Sequence, residues 1–571
     1  MRRIILPLLA AALPGCALGA IEDYEAAHAS EGGSTSSSTS EGATTFSSVT
    51  IDPHASAGST SGGTDAETTG TDGSTSDEPT TDGPSSAPPA IASYTLSTRD
   101  GSEDEGDPLV ITKHGPIFVD VDATDADGVR VELYDGAVIE LAAEVEGVFR
   151  GDFLVVSALA NGGHVAKLVP YREDYGDGEA AAAPYAVALP PMGAELLWDA
   201  DQKLGWGLVV DVEVLPDGDI LELLSLIGDD FERTCALRRR NPQGVFDLNH
   251  DVGLLLNGEP CEAVDLAVRD GQVFILLTDD DGQWSLEHTP LFSEEKASIL
   301  PVAKGEPDET ATALALHEDG GIAVCGTVPS GFGDDDAFAW VWESGKEPTR
   351  QMFDYVLEGE DFPEEPHMFD ETPRDCVFVG EDRLVLVGEA YGVHDPKDPP
   401  SYQRRFFLPV DLTKSDPPSF VVAAGEGSGN GTQSVATSAD VDDLGRLLLS
   451  GYTCDEQCKN IEGHVWVQSL DGTLDWFAQL GLFGEPYLAP SGVRWHPAGY
   501  IVVANGGTLK DEDAFMLSAF DVEKYEPLWT FAKGAVIEEH YPLALTVGPY
   551  GEICAGGVGD GFYPGVTCTG G

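Results

Sequence analysis

The chain is poor in positive charge. Lys and Arg total 30 against 100 Asp and Glu, a formal net charge of -70 over 571 residues. Phosphate contacts need a cationic surface, so nucleic acid is excluded as a partner. Docking on anionic lipid through a basic patch is excluded for the same reason. Long apolar runs are also lacking. The opening run, Ile4 to Leu13, is half of the roughly 20 residues that a bilayer crossing takes. Gly-x-Ser-x-Gly, His-Glu-x-x-His and the phosphate loop ending in Gly-Lys-Ser/Thr are all missing, which removes the common signatures of hydrolase, zinc protease and nucleotide sites. The twelve His show no i, i+4 pairing. No catalytic, cofactor or metal constellation is read from the chain, and no enzyme is expected.

What is present begins with Arg2 and Arg3, the apolar run, and then Leu13-Pro14-Gly15-Cys16. A short charged start and an apolar core of about ten residues read as a secretory signal. The run into Cys16 resembles the lipobox of bacterial lipoproteins, which implies cleavage after residue 15 and lipid attachment at Cys16. Ala17 after the cysteine suits outer-membrane sorting by the same resemblance. An ordinary signal cut near Gly19 or Ala20 is the alternative. Residues 16–90 follow as a Ser, Thr, Gly and acid-rich tether, with no Lys or Arg between Ala27 and Ser97. Such a segment has too little apolar surface to offset the entropy of ordering its backbone. Its r.m.s. reach is on the order of 45 Å.

From 91 to 191 short apolar segments alternate with turn signals such as Asp127-Gly128, Asp135-Gly136 and Asn161-Gly162-Gly163. Period-2 patterning at this spacing predicts a β-sandwich. The stretch 119–141 is similar to bacterial immunoglobulin-like domains of surface proteins. Asp120, Asp122, Asp125 and Asp127 are a candidate Ca²⁺ cluster, read in preference as a solvated acidic turn.

From 192 to 571 a repeat emerges. A turn, then an apolar strand, recurs with anchors at 218, 271, 320, 382, 445, 499 and 551, spaced by 53, 49, 62, 63, 54 and 52 residues. Each anchored strand follows one short strand and precedes two more, the last ending on an aromatic such as Phe353, Trp476 or Trp529. Four strands in about 54 residues describe a propeller blade, and seven anchors predict seven blades. After Gly551 only about two strands of sequence remain. Residues 193–198, Gly-Ala-Glu-Leu-Leu-Trp, match the missing fourth strand. The N-terminal end of the repeat is therefore expected to close the ring, leaving no free edge. Tyr185 to Leu189 is assigned to the sandwich, with a strand of the last blade as the alternative. The fold class is all-β: an Ig-like β-sandwich followed by a seven-bladed β-propeller. The whole order (lipobox, tether, Ig-like unit, propeller) resembles surface lipoproteins of myxobacteria.

Eight cysteines lie beyond Cys16, an even number in an exported chain, and predict disulfides. Local pairing gives Cys235–Cys261, Cys325–Cys376, Cys454–Cys458 and Cys554–Cys568. Cys454 and Cys458 with His464 are a weaker metal candidate. Asp279-Asp280-Asp281 and Asp334-Asp335-Asp336 are read as solvated loop charge before Ca²⁺ sites. Gly425 to Gly431 is read as a flexible loop. Trp340, Trp342, Trp466, Trp476 and Trp529 fall at repeat positions and are expected to pack. The expectation is a monomeric, non-enzymatic, surface-exposed outer-membrane lipoprotein without cofactor. Its partners would be the membrane, through the lipid, and a protein or glycan ligand. A periplasmic assembly scaffold and a propeller lyase or glycosidase are the alternatives.

Overall fold

The computed structural model describes residues 87–98, 108–145 and 147–200. Within 206–571 it describes all but 229–231, 242–252, 255–259, 292–299, 318, 331–333, 344–347, 354–369, 381, 394–400, 415–420, 423–432, 443, 455–460, 481–488, 510–511, 525, 535–540 and 560–562. The signal, Cys16, the tether, Cys458 and the Gly425 to Gly431 run lie outside the described residues.

Nine strands form the N-terminal unit: β1 (Ala90–Thr98), β2 (Leu109–Ile111), β3 (Gly115–Thr124), β4 (Gly128–Glu132), β5 (Val138–Val145), β6 (Val148–Val155), β7 (Gly162–Arg172), β8 (Gly176–Asp177) and β9 (Ala181–Val187). They pair in the order β1-β3-β6-β5-β4-β7-β9-β2, with β8 on β7. β2 runs parallel to β9, and the other pairs are antiparallel. Alternate residues of these strands converge on one core around Leu96, Ile117, Val121, Val129, Leu168 and Tyr185. That is the inward half of the period-2 pattern. Tyr185 to Val187 belong here, paired with β7 and β2.

The remainder is a seven-bladed β-propeller of seven four-stranded sheets. The first strands of successive blades touch one another around a full ring. These inner strands are Trp206–Val214, Cys261–Arg269, Thr310–Leu316, Asp370–Val379, Gln433–Val441, Ala489–Trp495 and Tyr541–Val547, for blades 1 to 7 in turn. Blade 7 is completed by Glu195–Ala200, which pairs antiparallel with the last strand, Tyr563–Thr569. The ring therefore closes by hydrogen bonds between its two sequence ends, which removes the unpaired edges that an open sheet would expose.

The hairpin joining the first two strands of a blade is specified locally. In five blades the same five residues close it. The amide of the first bonds the carbonyl of the fifth, and the fourth is a glycine whose amide returns to the first carbonyl. Gly218, Gly320, Gly445, Gly499 and Gly551 all have positive φ there. This is a type I turn followed by a left-handed residue, a conformation that favours glycine. Blade 2 uses the two-residue variant, Asp270-Gly271, with both φ positive. In blade 4 the glycine is Gly380, two residues before the Asp382 anchor expected from sequence.

These hairpins lie on one face of the ring, called here the hairpin face. The connections from second to third strands, and from one blade to the next, lie on the opposite, entry face. The N-terminal unit contacts the hairpin face at blades 6 and 7. The Ala158 amide donates to Gly571 O at 3.0 Å, and the Gly193 amide donates to Gly570 O at 2.8 Å.

Candidate functional site

All seven inner strands carry a bulge at the same position. Register slips between Val209 and Asp211, Ala263 and Asp265, Ala311 and Ala313, Pro373 and Asp375, Ala436 and Ser438, Pro490 and Gly492, and Pro542 and Ala544. A bulge bends the strand and re-aims the side chain after it. Three of the seven re-aimed residues are Asp211, Asp265 and Asp375. Two positions further along stand Glu213, Asp440, Arg494 and Thr546. These groups line the axis; the six charged ones are partly accessible to water, and Thr546 is buried.

The four aspartates do the same work. One oxygen accepts the amide of the next residue: Val212, Leu266, Cys376 or Val441, each at 2.8 Å. The other oxygen reaches the inner strand of the following blade. Asp211 Oδ2 accepts Leu266 N at 3.0 Å, and Asp265 Oδ2 accepts Leu314 N at 2.6 Å. Asp375 Oδ2 accepts Ala439 N at 2.9 Å, and Asp440 Oδ2 accepts Trp495 N at 2.7 Å. Glu213 closes the seam between blades 7 and 1 by accepting the Thr546 hydroxyl at 3.1 Å. Arg494 Nη1 grips blade 5 through Ser438 Oγ at 3.2 Å and Ala439 O at 3.3 Å.

Five acids face one guanidinium here. Burial pushes all five carboxyls up. Asp211 and Glu213 reach about 7, while Arg494 pulls Asp375 and Asp440 back down. Desolvation penalises the charged form, and like charges a few ångströms apart add to that. Asp211 Oδ2 and Asp265 Oδ1 share the Leu266 amide, and the two carboxyls also hydrogen-bond each other, so they titrate as a pair.

Seams without an axial acid use other devices. Blade 3 places Ala313 at the bulge. Its seam with blade 4 is crossed by the Cys325–Cys376 disulfide and by His317 Nε2 at 2.9 Å from Gly380 O. Cys235–Cys261 crosses from blade 1 to blade 2. Cys554–Cys568 joins adjacent strands of blade 7. Cys454 is disulfide-bonded, and Cys458 lies outside the described residues. A cysteine in a disulfide has no thiolate to offer a metal, and burial holds His464 near 4, with the Arg405 charge adding to it.

The remaining sequence candidates do not converge. Asp122 accepts Ser93 Oγ at 2.6 Å, Asp127 accepts Glu173 N at 2.8 Å, and Asp120 pairs with Arg150. Asp279 closes its own turn through Asp281 N and Gln283 N. Asp334 bonds Ser330. No group of three potential metal ligands is assembled among the described residues. Trp466 and Trp476 are buried, and Arg405 lies 3.8 Å above the Trp466 ring. Trp340 Nε1 donates to the buried Glu309 carboxylate at 3.2 Å.

The axial ring was not identified from sequence. Its signal is an acid inside an apolar strand, repeated at blade spacing: Val-Val-Asp-Val-Glu-Val, Ala-Val-Asp-Leu-Ala-Val and Arg-Asp-Cys-Val-Phe-Val. Among 100 acids the pattern shows only once the blades are aligned.

No protein-family model and no curated protein matches the chain. Among solved structures it is similar to a Penicillium chrysogenum alpha-L-arabinanase complexed with arabinobiose. That match has 12% identity and a TM-score of 0.34 over 66% of this chain and 98% of that one. It is similar to Chaetomium thermophilum Raptor at 10% identity and a TM-score of 0.40, over 66% of this chain but only 29% of that one. It is similar to Chaetomium thermophilum Sqt1 at 11% identity and a TM-score of 0.37, over 66% and 99% of the two chains. Likeness at this level carries no activity across. What defines this chain is its own strand pairing, a seven-bladed β-propeller closed by a strand from its N-terminal side.

Proposed function

We propose that the chain is a monomeric, lipid-anchored envelope protein, held through Cys16 and a long polar tether. Its propeller would present the entry face to protein or glycan ligands, without catalysis. The observation that supports this most is the placement of the N-terminal unit. It sits on the hairpin face, where Ala158 and Gly193 bond the last two residues of the ring. An anchor reached through that unit leaves the entry face, with its inter-blade loops, turned away from the membrane. The axial acids support the reading too, because their oxygens are engaged with backbone amides that join blades. The N-terminal unit serves as a spacer, and we read it as Ig-like. Its strand order brings β1, β3 and β6 to one side and β4, β7 and β9 to the other, with a first strand split between them.

Protease treatment of intact cells, with a periplasmic protein as lysis control, tests the placement. Loss of the propeller band from unbroken cells is the expected result, and glycan and whole-cell binding assays then identify the ligand class. Full protection refutes surface display and favours an assembly scaffold inside the envelope.

A further inference from the structure

The seam between the N-terminal unit and the ring is built around two imidazoles. His496 opens the hairpin of blade 6 and is 3% exposed. Its Nδ1 accepts the Ala498 amide at 3.1 Å, and its Nε2 lies 3.0 Å from Gly551 O on blade 7. An accepting Nδ1 leaves the proton on Nε2, which donates to that carbonyl; acceptance of the Ala498 amide is the contact that requires the neutral ring. The ring stacks on Tyr500 at 4.1 Å and 9°. Ser157 of the N-terminal unit stands beside the Tyr500 hydroxyl. The backbone of Gly551 and Gly571 fills the other side, with Val156 O packed directly on Gly551. His114 of the N-terminal unit leans on the Gly571 main chain, and its Nε2 has no hydrogen-bond partner among the described residues.

We propose that this seam is an acid-sensitive clasp: neutral His114 and His496 hold the N-terminal unit on blades 6 and 7, and their protonation releases it. A proton on His496 Nδ1 converts the acceptor of the Ala498 amide into a second donor. It also places a charge in a site closed to water, next to a second imidazole that takes its own proton. The other titratable groups nearby do not offset this. Tyr500 is neutral, with burial raising it further. Neither Lys113 nor Tyr550 is a carboxylate that could offset a positive charge there. Glu552 directs an oxygen toward the space between Gly548 and Val214, on the blade 1 side. Burial accordingly holds His496 down to about 4 and lowers His114, each being further depressed or only partly relieved by its neighbours.

The sign follows. A histidine lowered by folding contributes stability above its free value of 6.5 and loses it as pH falls toward 4. Hydrogen exchange on the full chain, corrected for intrinsic rates, reads the clasp at the amide of Ala158, which bonds across the seam to Gly571 O. Between pH 7 and pH 4.5 the opening equilibrium there is expected to rise roughly 50-fold from His496 alone. His496→Asn preserves the hairpin, since the Asp442 side chain already accepts the corresponding amides in blade 5. Combined with His114→Gln it is expected to abolish the pH dependence. Should the double variant not fold, His114→Gln alone leaves the hairpin intact and is expected to shrink the response. Unchanged protection of the Ala158 amide at pH 4.5 in the native chain overturns the proposal. So does a full response in whichever variant folds.

Discussion

Replacing Asp375 by alanine tests whether the axial acids hold the ring together. The carboxylate accepts Cys376 N at 2.8 Å, Ala439 N at 2.9 Å and Ser438 Oγ at 3.1 Å. The first two are inner-strand amides beside the bulges of blades 4 and 5. Each buried donor left unpaired costs about 1–3 kcal/mol. The Ser438 hydroxyl can rotate and costs less. Against this, the variant removes one of five acids crowded around Arg494, and burial already disfavours the charged form of Asp375. The balance is a loss of about 2–4 kcal/mol. For a domain of this size that corresponds to a fall in Tm of roughly 3–8 °C.

Thermal unfolding read by tryptophan fluorescence measures it. Glu526→Ala, at an exposed position on an outer strand, controls for the loss of one negative charge. Asp375→Asn is expected to fall between the two, because its amide group keeps one acceptor and opposes the second N–H. A Tm for Asp375→Ala equal to or above that of Glu526→Ala would refute the view that these acids act as inter-blade staples.

Further outcomes follow from the same geometry. Asp211 and Glu213 are raised to about 7 in the folded ring, so their contribution is full below about 4 and is lost as pH rises through 7. Because His496 and His464, held near 4, act with the opposite sign over the same window, the test is the Tm difference between the native chain and Asp211→Asn at fixed ionic strength: it should move against the native chain as pH rises from 4 to 7, and a difference independent of pH would count against it. Removing the Cys325–Cys376 disulfide, whose half-cystines are 51 residues apart, should cost about 3–4 kcal/mol. Exchange should then accelerate first at the seam of blades 3 and 4, and uniform loosening would contradict the assignment of seams. The net charge of -70 should make Tm higher in roughly 0.5 M NaCl than at low salt, through screening; no difference would exclude self-repulsion as a significant term.

The blades were legible in the sequence because each is specified locally. A glycine that must take positive φ, followed by a period-2 apolar strand, is a short-range signal, and it recurs. The ring closure was legible by counting strands: only two remained after Gly551, and Glu195–Ala200 supplies the partner. The wide spacing before anchor 382 falls between Phe353, where the last strand of blade 3 ends, and Asp370, where the inner strand of blade 4 begins. The axial acids were hidden because their meaning is tertiary. A bulge leaves no composition signature, and without it Asp265 reads as one more acid in an acidic chain. His496 was hidden for the same reason. It stands where Asp442 stands in blade 5, a turn position that accepts many polar residues, and only the approach of Gly551 makes it a contact.

The closing strand also constrains how the two units can move. β9 ends at Val187 and the strand that completes blade 7 begins at Glu195. The connection is pinned at both ends: Ala188 N donates to Ile111 O within the N-terminal unit, and Gly193 N donates to Gly570 O within the ring. At roughly 3.3 Å per residue the few residues between those bonds span less than the width of a blade. Release of the clasp therefore cannot let the N-terminal unit travel far. It can only pivot about residues 188–193, and the ring stays closed because the bonds of Leu197 to Ala200 with the last strand lie beyond the pivot. A hinge of that kind changes the angle between the N-terminal unit and the propeller while the strand that closes blade 7 stays paired.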